Sequence, residues 1–233
     1  MGISRTGLIA AVALALLWPL SPSRAIADGA TRAAGIISGV ATTKEAGPRP
    51  IRVTIDPQVC GQSLPDESIL VDTDGHLANV VLTIAGVKTP APAETFVSNE
   101  KCAFVPRVSI MRPGGALKMS SKDPMLHTMH AAAADGRAFF NISIPIPNVT
   151  LSRSIDKAGV VTLSCSTHTW MRGYLVVTDE RTSVTGPDGK FQIAGLPAGT
   201  YDLRIWHETL KAAPMKVVVK DGETTTANVT LGR

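Results

Sequence analysis

A chain of 233 residues with 23 Lys and Arg against 19 Asp and Glu has a formal charge of only +4, and those charges are scattered. That excludes the basic stripe a nucleic-acid binder needs. The length suits one large or two modest domains, each able to bury a core. The 20 glycines and 16 prolines break the apolar residues into short alternating runs, a composition that predicts an all-β chain with frequent turns.

The first element is a leader. Met1-Gly-Ile-Ser-Arg5 is followed by an apolar run from Thr6 to Leu20, shorter than the roughly 20 residues that span a bilayer and closed by Pro19, Pro22 and Arg24. Ala25-Ile-Ala27 offers small residues at the positions a signal peptidase inspects, so cleavage is expected after Ala27. The mature chain then opens at Asp28, having lost Arg5 and Arg24. Export places the protein in the periplasm or outside the cell, with no membrane span after cleavage.

Strands are predicted over Ile36–Thr42, Ile51–Ile55, Leu77–Ile84, Phe104–Met111, Leu117–Ser121, Leu126–Ala131, Ala138–Pro145, Val160–Ser164 and Gly173–Thr178. The segment around Pro90 and Pro92 is expected to be a surface loop. Short strands at this spacing indicate a sandwich or barrel. After Asp179 the texture changes to a hairpin grammar, with turns at Asp188-Gly189 and Pro197-Ala-Gly199. Further strands are expected over Met215–Lys220 and Thr224–Leu231.

Three cysteines in an exported chain leave one without a partner. Cys60 and Cys102 lie in loop-like contexts that suit a disulfide in an oxidising compartment. Closing that loop stabilises by roughly 4 kcal/mol on the chain-entropy model. Cys165 is then the odd one.

Cys165 opens the sharpest feature, Cys165-Ser-Thr-His168-Thr-Trp-Met171-Arg-Gly173, which puts a thiolate, an imidazole and a thioether in one loop between two strands. A thiolate and two imidazoles in a plane, with a distant axial thioether, is the donor set of an electron-transfer copper site. Structural zinc prefers four strong donors, and Met is not one. The missing imidazole comes from Asp123-Pro-Met-Leu-His127-Thr-Met-His130. In an extended chain positions three apart face opposite ways, so only one of His127 and His130 reaches a common metal. His76 and His207 read as surface residues.

The loop and strand from Cys165 to Val177 resemble the copper loop of the cupredoxin family, of the amicyanin and plastocyanin kind. The resemblance implies a Greek-key β-sandwich and one type 1 copper held by His127, Cys165, His168 and Met171, His127 being the first His of the family's His-x-x-His. It also implies that the loop histidine, here His168, reaches the surface where a partner docks, with Trp170 beside it as an apolar docking residue. The implied partners are redox proteins, a dehydrogenase of the methylamine kind and a cytochrome. The residue after the first ligand is usually an Asn that ties the two ligand loops together. Here it is Thr128, which can donate a shorter bond to Ser166 or none.

From about Thr182 the tail resembles the carboxypeptidase regulatory-like or transthyretin-like β module, on Thr185-Gly-Pro-Asp-Gly189-Lys-Phe191 and the Leu196-Pro-Ala-Gly-Thr-Tyr201 that follows. The resulting division is a leader over 1–27, a cupredoxin-like copper domain over 28–181 and an accessory β module over 182–233, short enough to borrow strands from 36–55. The expected function is single-electron transport without enzymatic activity, since the five histidines, two of them spent, leave too few grouped residues for a second copper centre. The alternative is a copper-sequestering or delivering protein, or a binding protein whose tail recognises glycan or protein.

Overall fold

The computed structural model describes residues 1–3, 33–89 and 91–233, so from residue 4 the expected leader and its cleavage point lie outside the described residues. Strand β1 (Gly35–Thr43) is followed by the short pieces β2 (Ile51–Arg52), α1 (Pro57–Cys60) and β3 (Ser63–Leu64), and then by β4 (Val81–Lys88). Next come β5 (Glu94–Glu100), β6 (Ala103–Val105), β7 (Val108–Met111), β8 (Gly115–Ser121), β9 (His127–Ala133), β10 (Ala138–Ile144), β11 (Leu151–Ile155), β12 (Gly159–Ser164) and β13 (Arg172–Val177). The tail supplies β14 (Glu180–Val184), β15 (Lys190–Leu196), β16 (Gly199–Trp206), β17 (Met215–Val219), β18 (Thr224–Thr226) and β19 (Val229–Leu231). The described chain is nearly all β, and none of its helices is long and apolar enough to cross a membrane.

Two sandwiches result. In the first, a sheet ordered β10-β9-β12-β13-β7 packs on one ordered β11-β8-β5-β6. Alternate side chains meet between them: Leu117 and Met119 from β8, Met129 from β9, Leu163 from β12, Leu175 from β13. Each is almost wholly removed from water, and truncating one to Ala costs about 2–5 kcal/mol. The β7–β13 and β5–β8 pairs are parallel, so the chain crosses between the two sheets rather than turning back in hairpins.

The second sandwich pairs a sheet ordered β15-β1-β18, with β19 also on β1, against one ordered β14-β4-β16-β17. Its core joins Ile37 of β1 and Leu82 and Ile84 of β4 to Phe191, Leu203 and Val217 of the tail. The tail strands are thus completed by two strands from much earlier in the sequence. At Gly39 the chain crossing from β18 to β19 comes so close that an added Cβ would lie 2.2 Å from the Ala227 carbonyl oxygen. Only glycine admits that approach.

A smaller apolar patch of Val81, Val108 and Val176, with Tyr174 and Trp206 packed edge-on at 5.3 Å, joins the sandwiches. Beside it the Arg107 guanidinium donates to both oxygens of Glu208, at 2.5 and 2.8 Å. A fork of this kind fixes geometry as well as charge.

The strand expectations are corrected at five places. Phe104–Met111 is two strands, β6 and β7, because Pro106 has no N–H to continue a ladder. Thr224–Leu231 also divides in two, and between the halves Asn228 Oδ1 accepts from the Val40 amide. β2 is shorter than predicted and pairs with β3. Strand β5 begins at Glu94, beyond the Pro92 loop, and both it and β11 arise where no strand was expected. β5 buries only Val97 and Asn99, and β11 only Ile155, so neither writes an alternating pattern into the sequence.

Candidate metal centre

Strand β9 begins at His127, and its alternation turns His127, Met129 and Ala131 into the core while Thr128 and His130 face the other way. Cys165 follows the last residue of β12 and is 3% exposed. The loop then tightens, the Met171 amide donating to the His168 carbonyl at 2.9 Å, which folds His168 back under the loop. One ligand atom each from His127, Cys165 and His168 lie within 4.8 Å of one another, all three residues buried. The Cys165 sulfur is 3.7 Å from His168 Nδ1. Met171, also buried, packs in the same core as Cys165.

Both imidazoles are held from behind by carboxylates. His127 Nε2 lies 2.9 Å from Asp123 Oδ2, and His168 Nε2 lies 3.1 Å from Asp56 Oδ2. A carboxylate oxygen only accepts, so each Nε2 carries the proton and donates. His127 Nδ1 is buried with no hydrogen-bond partner, an atom whose burial needs a reason. Asp123 also accepts from the Lys101 and Cys102 amides at 2.7 and 2.9 Å. Cys102 is bonded to Cys60, with Cα atoms 5.3 Å apart. The carboxylates therefore hang from the two ends of one disulfide, since the Cys60 amide donates to the Asp56 carbonyl at 3.0 Å.

Thr128 joins the two ligand segments, with the opposite polarity to that expected. Its hydroxyl accepts from the Ser166 amide at 2.8 Å and turns its own proton to the Cys165 sulfur at 3.6 Å. The Thr128 amide also points to that sulfur, at 3.5 Å. Burial pushes the Cys165 thiol up, but donors around the sulfur, among them the His168 and Thr128 amides and the Thr128 hydroxyl, outweigh it and bring the thiol down to about 5. At neutral pH a thiolate and two ring nitrogens thus converge, a donor set that fits one soft or borderline cation.

The expectations for His168 and His207 are corrected. His168 is 0% exposed rather than solvent-facing. Trp170 is half-buried, its indole N–H donating to the Cys102 carbonyl at 3.2 Å. His207 is 1% exposed, its Nδ1 accepting from the Thr209 and Leu210 amides. Cys102, Asp123 and His127 also cluster, but the disulfide removes Cys102 as a ligand. Asp56 and Asp123 were not foreseen. Asp123, four residues before His127, was open to inspection, whereas Asp56 is 112 residues from its partner and carries no local signal.

Residues 158–232 match the family model of the carboxypeptidase regulatory-like domain, a span that opens ahead of the Cys165 loop. Among solved structures the chain is similar to amicyanin from Paracoccus versutus, at 19% identity over 41% of this chain and 96% of that one, TM-score 0.32. It is similar also to a purple cupredoxin from Nitrosopumilus maritimus, at 18% identity over 37% of this chain and 100% of that one, TM-score 0.32. A reduced amicyanin variant gives 21% identity over 41% and 97%, TM-score 0.33. No curated protein matches the chain.

Proposed function

We propose that the chain binds one copper ion through His127, Cys165, His168 and Met171 and carries single electrons outside the cytoplasm. One observation carries this reading: the buried convergence of the Cys165 sulfur with two imidazoles whose Nε2 atoms are already committed to carboxylates. Copper held by such a set supplies a one-electron couple. The chain's own part is to keep the donors in one geometry for both charge states. Cys165 is held as thiolate by Thr128 and its neighbours, the imidazoles are fixed in one tautomer, and Met171 presents a thioether from the same loop.

The Cys60–Cys102 disulfide supports an oxidising compartment, periplasmic or extracellular. Redox proteins, a dehydrogenase on one side and a cytochrome on the other, are the proposed class of partner. The test is optical: protein with one equivalent of copper should show an intense thiolate-to-copper charge-transfer band in the visible. Cys165→Ser should abolish it and with it all redox cycling. A fully loaded sample without that band sinks the reading and leaves a copper-sequestering or non-redox binding role.

A further inference from the structure

We propose that Asp56 is the positioning residue that closes this centre: its carboxylate fixes His168 with Nδ1 turned inward and shuts the outer edge of the ring from solvent. This rests on the copper reading above. His168 is wholly buried although Ser166, Thr167 and Thr169 around it are exposed. The His127 and Trp170 rings stand beside it, at centroid distances of 4.8 and 5.3 Å. At the far nitrogen stands the Asp56 carboxylate.

Asp56 is itself held. Its backbone is left-handed, φ 54° and ψ 44°, a conformation that Asp and Asn tolerate better than other side chains. Its carbonyl accepts from the Val59 and Cys60 amides, and its second carboxylate oxygen from Gln58 Nε2 at 3.3 Å. Cys60 is bonded to Cys102, and the Cys102 carbonyl accepts from Trp170, two residues beyond His168. The contacts close a ring from Asp56 through His168, Trp170, Cys102 and Cys60 back to Asp56. The cover is thus held by a ring of hydrogen bonds closed through one disulfide. A sealed edge denies solvent and docking partners direct contact with His168, and a second carboxylate behind a ligand strengthens that ligand as a donor.

The experiment compares wild type with Asp56→Asn, which keeps an acceptor and suits the left-handed backbone, and with Asp56→Gly, which removes the side chain without backbone strain. Nitrogen-correlated NMR of the metal-free proteins reads the His168 tautomer and the solvent exchange of its Nε2 proton. Cobalt(II) titration reads donor strength independently. Wild type and Asp56→Asn should show a slowly exchanging Nε2 proton, and Asp56→Gly should lose it. Cobalt affinity should fall about 10- to 100-fold in Asp56→Gly, with Asp56→Asn between. A protected proton and wild-type affinity in Asp56→Gly would overturn the proposal. A protected proton in wild type without any thiolate-to-cobalt band overturns instead the metal reading on which it rests.

Discussion

Thr128 stands between the two chain segments that supply the centre, and its hydroxyl is used twice, as acceptor for the Ser166 amide and donor to the Cys165 sulfur. Thr128→Val keeps the shape and removes both bonds. Because Ser166 is exposed, water replaces the lost acceptor, and the expected loss of stability is about 1 kcal/mol, measurable by urea unfolding of the metal-free protein. The sulfur, with one fewer donor turned to it, becomes the more electron-rich ligand, so the copper-loaded variant should have the lower reduction potential by voltammetry. Of the three residues that converge, Cys165 and His168 were legible because they share one loop, while strand parity said only that one of His127 and His130 could join them. The direction of the Thr128 bond was not legible, since a hydroxyl donates and accepts with equal ease.

The turn between β16 and β17 depends on His207, whose Nδ1 receives the Thr209 and Leu210 amides. Burial, then the charges of Arg107 and Lys211, hold this imidazole down to about 4. The unfolded chain takes up the proton near the ordinary His value of about 6.5, so between those values it binds more protons than the folded one. Stability should therefore fall as pH drops from about 6.5 toward 4 and level off above. In His207→Asn, whose amide oxygen can take over the Nδ1 bonds, urea midpoints at pH 7 and 4.5 should lie closer together than in wild type. His207 reads as a surface residue because nothing in its local sequence tells of Arg107, a hundred residues earlier, folding against the adjoining Glu208. Alternation located the strands with one wet and one dry face. It missed β5 and β11, where a single buried position or two cannot mark a period.

The two sandwiches share one compact unit of the described residues from 33 onward, and their strands are interleaved in sequence. β1 and β4 belong to the second sandwich, while β5 to β13 build the first. A chain ending at Asp179 would leave β1 without β15, β18 and β19, and β4 without β14 and β16, exposing Ile37, Leu82 and Ile84 together. We expect that truncation to yield aggregates on gel filtration and no cooperative thermal transition. A monomeric product melting like the full chain would contradict the interleaving. Only part of this level was legible: a tail module too short to close by itself pointed to strands borrowed from 36–55, whereas the share of β4 left no trace in local spacing.

β1 touches the far end of the chain: the Thr42 and Thr230 hydroxyls lie 3.1 Å apart, 188 positions distant in sequence. Because β1 pairs with β19, a growing polypeptide cannot finish this sandwich until β19 has been made. Loop-closure entropy of that size also slows the final docking. The first sandwich, whose two sheets draw only on β5 to β13 and whose core holds Cys165, waits for none of the tail strands and can close ahead of the second.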